Sequence, residues 1–428
     1  VTATATQTPP PAAPRLGGGS GGRFRLTLPV LLLIIAAALV VVSAVRAVTG
    51  AHDVTSAGQV AGALSGAVPI GLAGLAGLWS ERAGVVNIGL EGMMILGTFF
   101  GAWVGWQTNP WLGVLAGVVG GALGGLVHAI VTVTFGVDHI IAGVAMNILA
   151  AGVTAYLAKR LFNVGQAAQK GGTPKQSPPI ADIKHFTVPG LSHWLATLEA
   201  HRWFLVSDLA GIVGGLVTNV SALTLIALLL FVGTFFVLWR TPFGLRLRSC
   251  GENPVAAESL GVNVYTYKYL AVIISGALAG LGGVFLAIGT HFYLEGQTGG
   301  RGYIGLAAMI FGNWRPGGLA MGAGLFGYAD SLQLRNGGPS VHALLLLLAL
   351  LLFAMAAWKL YRGARIGAGV ALGFSVLLAL WYMFTTTVPD EVVQATPYVA
   401  TLLVMGLSAQ RLRMPKADGQ PYRKGQGG

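Results

Sequence analysis

Residues 26–45 run without one charged side chain, and uninterrupted apolar stretches of 18 residues or more recur along most of the chain. About 20 such residues cross the ~30 Å hydrocarbon core of a bilayer as a single helix. No water reaches backbone N–H and C=O groups there, so only helices and closed barrels can cross. A barrel would need short segments of alternating polarity, and these stretches are continuous. The fold class is therefore all-α: a polytopic membrane protein with about ten transmembrane helices plus short or re-entrant helices. Only 9% of the 428 residues are charged, against about 25% in a soluble domain.

The net charge of +12 comes from Lys and Arg gathered between the spans and in the last residues, not on one face with aromatics. It reads as anchoring in the lipid bilayer from the cytoplasmic side, with no nucleic acid as partner. The single cysteine, Cys250, excludes an internal disulfide and a Cys-rich metal site. The chain has no Gly-x-x-x-x-Gly-Lys-Ser/Thr phosphate loop and no His-Glu-x-x-His. No cofactor, metal or catalytic residue is expected, and nothing argues for an enzyme. The first apolar run lacks a small-residue cleavage site after a short core, so it reads as a retained span rather than a signal peptide.

Residues 1–22 are rich in Pro, Ala, Thr and Gly and predict a disordered tail. Residues 23–410 form the transmembrane part, and 411–428 a basic cytoplasmic tail. Spans are expected at 26–45, 60–79, 85–106, 111–135, 140–157, 222–239, 269–288, 341–358, 367–383 and 397–407. Two apolar stretches, 303–312 and 318–331, are short for a crossing; they form a re-entrant hairpin or two short crossings. One long polar extracytoplasmic loop, 159–206, holds four prolines and a short interfacial helix near 191–198, and residues 209–220 dip partly into the membrane. Arg23 and Arg25 hold the N-terminus inside. Parity then places the turns at 80–84 and 136–138, the loops at 240–267 and 359–366, and the C-terminal tail in the cytoplasm. This topology puts 17 of the 26 Lys and Arg inside, the sign the positive-inside rule requires.

Within 240–267 lies a polar island, residues 248–262. Asn253 suits an N-cap and Pro254 the first helical position. A helix of about one and a half turns follows through Ala256, Ala257 and Leu260, and Gly261 would stop it in a left-handed cap. Gly251, Glu252 and Glu258 flank or belong to it. Carboxylates are costly in lipid, so this helix lies at the surface, where a partner can dock; the plain alternative is an ordinary loop.

Inside the spans, polar residues are few. Asn87 and Glu91 lie four apart and would share one face of a helix starting at Val85, with Glu91 about 9 Å along it. An ionisable group at that depth faces the protein interior or a water-filled path. Alternatively Glu91 pairs with Arg82 or a neighbouring backbone turn and locks the helix. Asn147 lies mid-span and can bond across helices. These three are the candidates for a translocation path. Asp330 has the same ambiguity, and Asp138 reads as an N-cap. The pairs Gly120/Gly124 and Gly276/Gly280 permit close helix crossing. So few charges argue for a neutral, polar, stackable solute rather than an inorganic ion.

Several stretches are also similar to a known family. Leu78-Trp-Ser-Glu-Arg-Ala-Gly-Val-Val-Asn-Ile-Gly-Leu-Glu-Gly-Met93 resembles the signature of permease subunits from nucleoside-type ABC importers, within the larger group of simple-sugar and branched-chain amino acid permeases. Gly136-Val-Asp-His-Ile-Ile-Ala-Gly-Val-Ala-Met-Asn147 resembles the family's next stretch. Cys250-Gly-Glu-Asn-Pro-Val-Ala-Ala257 with Leu260-Gly-Val262 resembles its cytoplasmic coupling segment. Ser275-Gly-Ala-Leu-Ala-Gly-Leu-Gly-Gly283, residues 300–312 and 325–333, and the tail at 415–422 continue the likeness in order. The disordered N-terminus and the enlarged 159–206 loop depart from it. The resemblance implies nucleoside import across a bacterial cytoplasmic membrane by a chain that is itself no enzyme. It implies an ABC ATPase subunit docked on residues 251–261, a second homologous permease subunit, and an extracytoplasmic substrate-binding lipoprotein. A simple sugar or another small polar solute is the alternative cargo, and an ion-coupled secondary transporter with Glu91 as proton site the alternative machine.

Overall fold

A computed structural model describes residues 28–335, 337–389, 391–396, 399 and 412–425. The readings for the N-terminal tail with Arg23 and Arg25, and for nearly all of the last span at 397–407, lie outside these residues.

Among the described residues the chain is mainly helical: α1 (Leu28–Thr49), α2 (Ala57–Arg82), α3 (Leu90–Gln107), α4 (Pro110–Ala129), α5 (His139–Leu161), α6 (Gly165–Gln169), α7 (Leu191–Ala200), α8 (Val206–Val217), α9 (Ala222–Arg240), α10 (Pro242–Glu252), α11 (Pro254–Ser259), α12 (Val264–Gly289), α13 (Arg301–Phe311), α14 (Pro316–Leu334), α15 (Gly338–Tyr361) and α16 (Arg365–Phe384). Among the described residues seven helices are long and apolar enough to cross a membrane: α2, α4 with its π-helical end, α5, α9, α12, α15 and α16. Many helix starts repeat one local device. Asn109, Thr241 and Asn253 each accept a backbone N–H through the side chain, and each precedes a proline at the first helical position. That proline lacks only an N–H that no helix start can pair internally. Asp138 caps α5, as its sequence position predicts, accepting from Ile140 and Ile141.

α12 is the central post. It packs on α2, α3 and α4, and 78% of its apolar stretch is buried against 17% for α16, which pairs with α15 at the periphery. The α4–α12 crossing is close because glycines meet there: a Cβ on Gly121 would lie 2.2 Å from the Gly276 carbonyl oxygen. Gly120 and Gly124 sit on the adjacent face of α4, against Phe100, Leu96 and Met93 of α3. The close crossing on that helix is thus made by Gly121 and its neighbours in register.

Three expectations change. First, the helix after the 80–84 turn does not begin at Val85. α2 continues through Arg82, Gly84 turns the chain at φ +80°, and residues 83–89 run without helix until Leu90. Asn87 is therefore not on a helix, and it shares no helical face with Glu91, which sits in the first turn of α3. Apolar periodicity extends across 85–90 and hides this break. Second, the later of the two short apolar stretches is longer than expected: the helix on 318–331 extends over Pro316–Leu334. At 1.5 Å per residue the 11-residue α13 covers only about 16 Å, and the 19-residue α14 about 28 Å. α14 runs from the turn at Trp314, bonded to Arg82 at the end of α2, to Arg335 beside Gly58 at the start of α2. Third, residues 242–252 form a helix, α10, where only a basic loop was expected.

The 159–206 segment is tied down rather than loose. Glu199 of α7 accepts the Ala57 N–H at the start of α2. Asp208 of α8 forms a buried ion pair with Arg46 at 3.0 Å and accepts hydrogen bonds from Ser43 and Thr55. A two-residue ladder joins His185 and Phe186 to Ser221 and Val220.

Candidate functional site

Two polar sites stand out, one inside the bundle and one at the end that carries α11. The inner site forms where the unwound segment 83–89 meets the start of α13. Glu91 reaches from the first turn of α3 to that helix start. Its Oε1 accepts the Gly300 N–H at 2.9 Å and its Oε2 the Gly302 N–H at 2.7 Å. Gly300, at φ +79°, is the N-cap residue of α13 and has no side chain to cap with. A carboxylate at a helix N-terminus pairs the orphan donors and meets the positive end of the helix dipole. Glu91 is thus engaged by a backbone turn rather than by Arg82, whose guanidinium donates to the Trp314 carbonyl at 2.6 and 3.2 Å.

Asn147 of α5 holds the other side of the same segment. Its Oδ1 accepts the Gly92 N–H at 2.7 Å, and its Nδ2 donates to the Ile88 carbonyl at 3.0 Å and the Tyr303 hydroxyl at 2.8 Å. Asn87 is fully buried and donates to Ser275 Oγ on α12 at 2.9 Å, while its Oδ1 has no partner among the described residues. So the three path candidates do converge: Glu91 and Asn147 clasp the start of α3 to α13 and α5, and Asn87 ties the unwound segment to α12. Asp330 forms an ion pair with Arg301 at 2.7 Å.

At the far end, α11 has the predicted start and stop. Asn253 Oδ1 accepts the Ala256 N–H at 3.0 Å, Pro254 opens the helix, and Gly261 turns away at φ +81°. Its residues divide by face. Glu252, Asn253, Ala256, Leu260 and Gly261 are exposed, with Leu260 at 85%. Ala257 is buried with Cys250 and Val264, and Gly251 is buried so closely that a Cβ would lie 2.4 Å from the Arg82 carbonyl oxygen. Ala257 and Gly251 therefore form the footing of α11, not its outer face. Burial pushes the Cys250 thiol up to about 11, which keeps it protonated and unreactive near neutrality.

The described tail residues lie against this footing. The Ala417 N–H donates to the Gly251 carbonyl at 2.9 Å, the Tyr422 hydroxyl donates to Glu258 Oε2 at 2.5 Å, and the Arg413 N–H donates to Asn313 Oδ1 at 2.6 Å. Asp418 faces Glu81 of α2, which also accepts from Trp314 Nε1 at 2.6 Å. Sequence reading assigned the tail no contacts. The family resemblance singles out 415–422 as a stretch, but no periodicity marks which of its residues is buried.

The profile of the family described as branched-chain amino acid transport system permease component matches residues 59–356, most of the chain. The chain belongs to that permease family. Similar proteins include the guanosine ABC transporter permease protein NupQ of Bacillus subtilis, 34% identical over 84% of this chain and 94% of that protein. The nucleoside ABC transporter permease protein NupC of Lactococcus lactis is 31% identical over 85% of this chain and 96% of its own length. The putative glucose ABC transporter permease protein TsgC13 of Haloferax volcanii is 34% identical over 66% of this chain and 78% of its own length. No solved structure matches. This permease is a multi-pass membrane protein and a transport component. The matched region includes α11 and the inner site but stops before α16 and the tail.

Proposed function

We propose that the chain is the membrane-spanning subunit of an ABC importer that carries nucleosides across the bacterial cytoplasmic membrane. A separate ABC ATPase subunit binds α11 and supplies the force; a second homologous permease completes the path, and an extracytoplasmic lipoprotein delivers the solute. Both termini lie in the cytoplasm, on the side of α11. The nucleoside cargo rests on one observation: the likeness to a guanosine permease runs over 84% of this chain and 94% of the relative. A simple sugar is the second reading, favoured by the likeness to TsgC13, which covers less of both chains.

The physical case for docking at α11 is its stiffness and its outer face. A helix fixed at both caps transmits displacement, where a loose loop would absorb it. Leu260 exposes an apolar side chain beside polar Glu252 and Asn253, the mixed pattern of a contact surface. Glu91, Asn147 and Asn87 act in this reading by holding the broken helices that line the path.

Uptake of labelled guanosine and ribose by proteoliposomes holding the complex and its binding protein tests the cargo. Guanosine uptake that requires the ATPase subunit supports the proposal; ribose uptake without guanosine uptake overturns it in favour of the sugar. Docking is tested by Ala256→Arg, on the exposed face, which is expected to cut uptake about tenfold, equal to ~1.4 kcal/mol of docking, without lowering the amount of folded protein. Bulk at Ala257 instead strikes the footing and lowers stability.

A further inference from the structure

We propose that residues 415–422 of the tail are a strap that positions α11 on the membrane bundle, so that force applied to α11 reaches α2 through the tail as well as through the helix chain. The inference deepens the docking reading above and rests on it for its functional half; its structural half stands alone.

α11 has few attachments of its own. It is six residues long, it follows α10 across the single residue Asn253, and its inner face offers one buried side chain, Ala257. A helix this short is unstable in isolation, so its position depends on what holds it. The strap contacts it and its neighbours at three separate points. The Ala417 N–H donates to the carbonyl of Gly251, at the end of α10, at 2.9 Å. The Tyr422 hydroxyl donates to Glu258 of α11 at 2.5 Å, while the Tyr422 ring packs on Tyr265 of α12 with centroids 5.5 Å apart. Between these points Asp418 projects inward, both carboxyl oxygens fully covered, toward Glu81 at the end of α2. The same knot holds Lys268 of α12, which donates to the Gly84 carbonyl at 3.2 Å, and Gly84 itself lies against Ala417. One stretch of eight residues thus touches α2, α10, α11 and α12.

Asp418 gives the strap its depth. Two carboxyls cannot hydrogen-bond to each other without a proton. With one proton between them Asp418 is paired to Glu81; without it, its covered oxygens keep only the Gly419 N–H and the charges of Lys268 and Arg82. Burial pushes Asp418 up to about 7, although the Glu81 hydrogen bond, Lys268, the Gly419 N–H and Arg82 all pull it back. An amide at this position would donate to Glu81 at any pH, so Asp418→Asn keeps the strap seated, while Asp418→Lys sets a second ammonium beside Lys268 and expels it.

The test uses the full chain in its purified complex and two readouts. Hydrogen exchange of the α11 amides reports the strap alone; uptake per ATP hydrolysed reports what the strap does. Ala417→Pro removes the N–H that reaches Gly251, and Asp418→Lys ejects the anchor. Both are expected to speed exchange across residues 256–262 about tenfold while α12 stays protected, and to lower uptake per ATP severalfold. Asp418→Asn is expected to match the unaltered protein in both. Exchange at 256–262 unchanged in Ala417→Pro and Asp418→Lys overturns the strap. Faster exchange with unchanged uptake per ATP supports the strap and overturns the docking role of α11.

Discussion

Glu91 and Asp418 are both acids with covered carboxyl oxygens that pin one part of the chain to another, and they do it by opposite means. Glu91 meets two backbone N–H donors at a helix start, so its charged form is the bonded form. Asp418 meets another carboxyl, so its bonded form needs a shared proton. The first bond belongs to permanent architecture. The second holds conditionally, and it lies in the tail, beside the element proposed to move. Donor type, rather than depth of burial, decides which acid is a rivet and which a clasp.

Removing the rivet has the largest expected effect. Glu91→Ala leaves the Gly300 and Gly302 N–H groups without acceptors, at a cost of about 2–6 kcal/mol in total. Thermal unfolding of the detergent-purified protein should show a strongly lowered midpoint, and an unchanged midpoint would remove Glu91 from the architecture. Asn147→Leu strikes the same junction from α5. Polar bonds between membrane helices are worth about 0.6–2 kcal/mol, so its midpoint should fall less than that of Glu91→Ala. A double variant losing less than the sum of the two would place both residues in one unit.

The clasp should show itself by pH rather than by heat. Asp418 binds its proton up to about 7 when seated, against the usual 3.8 when free. The seated state therefore holds the extra proton between those values, and its advantage declines as pH rises through that window. Exchange at 256–262, corrected for the intrinsic pH dependence of amide exchange, should accelerate as pH rises from 4 through about 7. Asp418→Asn should flatten that profile. A flat profile in the unaltered protein would mean that Glu81, Arg82 and Lys268 keep Asp418 ionised in place.

The sequence shows the membrane-spanning class because hydrocarbon demands long uninterrupted apolar helices, and that demand is written residue by residue. Capping is equally local, so Asn253, Pro254, Gly261 and Asp138 were readable as single letters. The break at 83–89 was not, because the residues that unwind it act from elsewhere: Asn147 on α5 and Ser275 on α12 satisfy the backbone and side chains there. Glu91 and Asn147 were found for their polarity in an apolar setting, yet their partners lie more than 50 residues away, and no spacing rule connects them. α10 escaped notice although Thr241 and Pro242 mark its start, since its arginines suggest a loop. Tail contacts were invisible for the same reason as the break: burial of Ala417 and Asp418 is imposed by the groove they fill.

The docking role of α11 is open to a direct test. Leu260→Cys, at a side chain 85% exposed on α11, is coupled to a short photo-cross-linker in the assembled, ATP-hydrolysing transporter. The expected product joins this chain to the nucleotide-hydrolysing subunit, while Met321→Cys on α14, 76% exposed, gives none with that subunit. A transporting complex in which Leu260→Cys never cross-links to its ATPase would contradict the docking of force at α11.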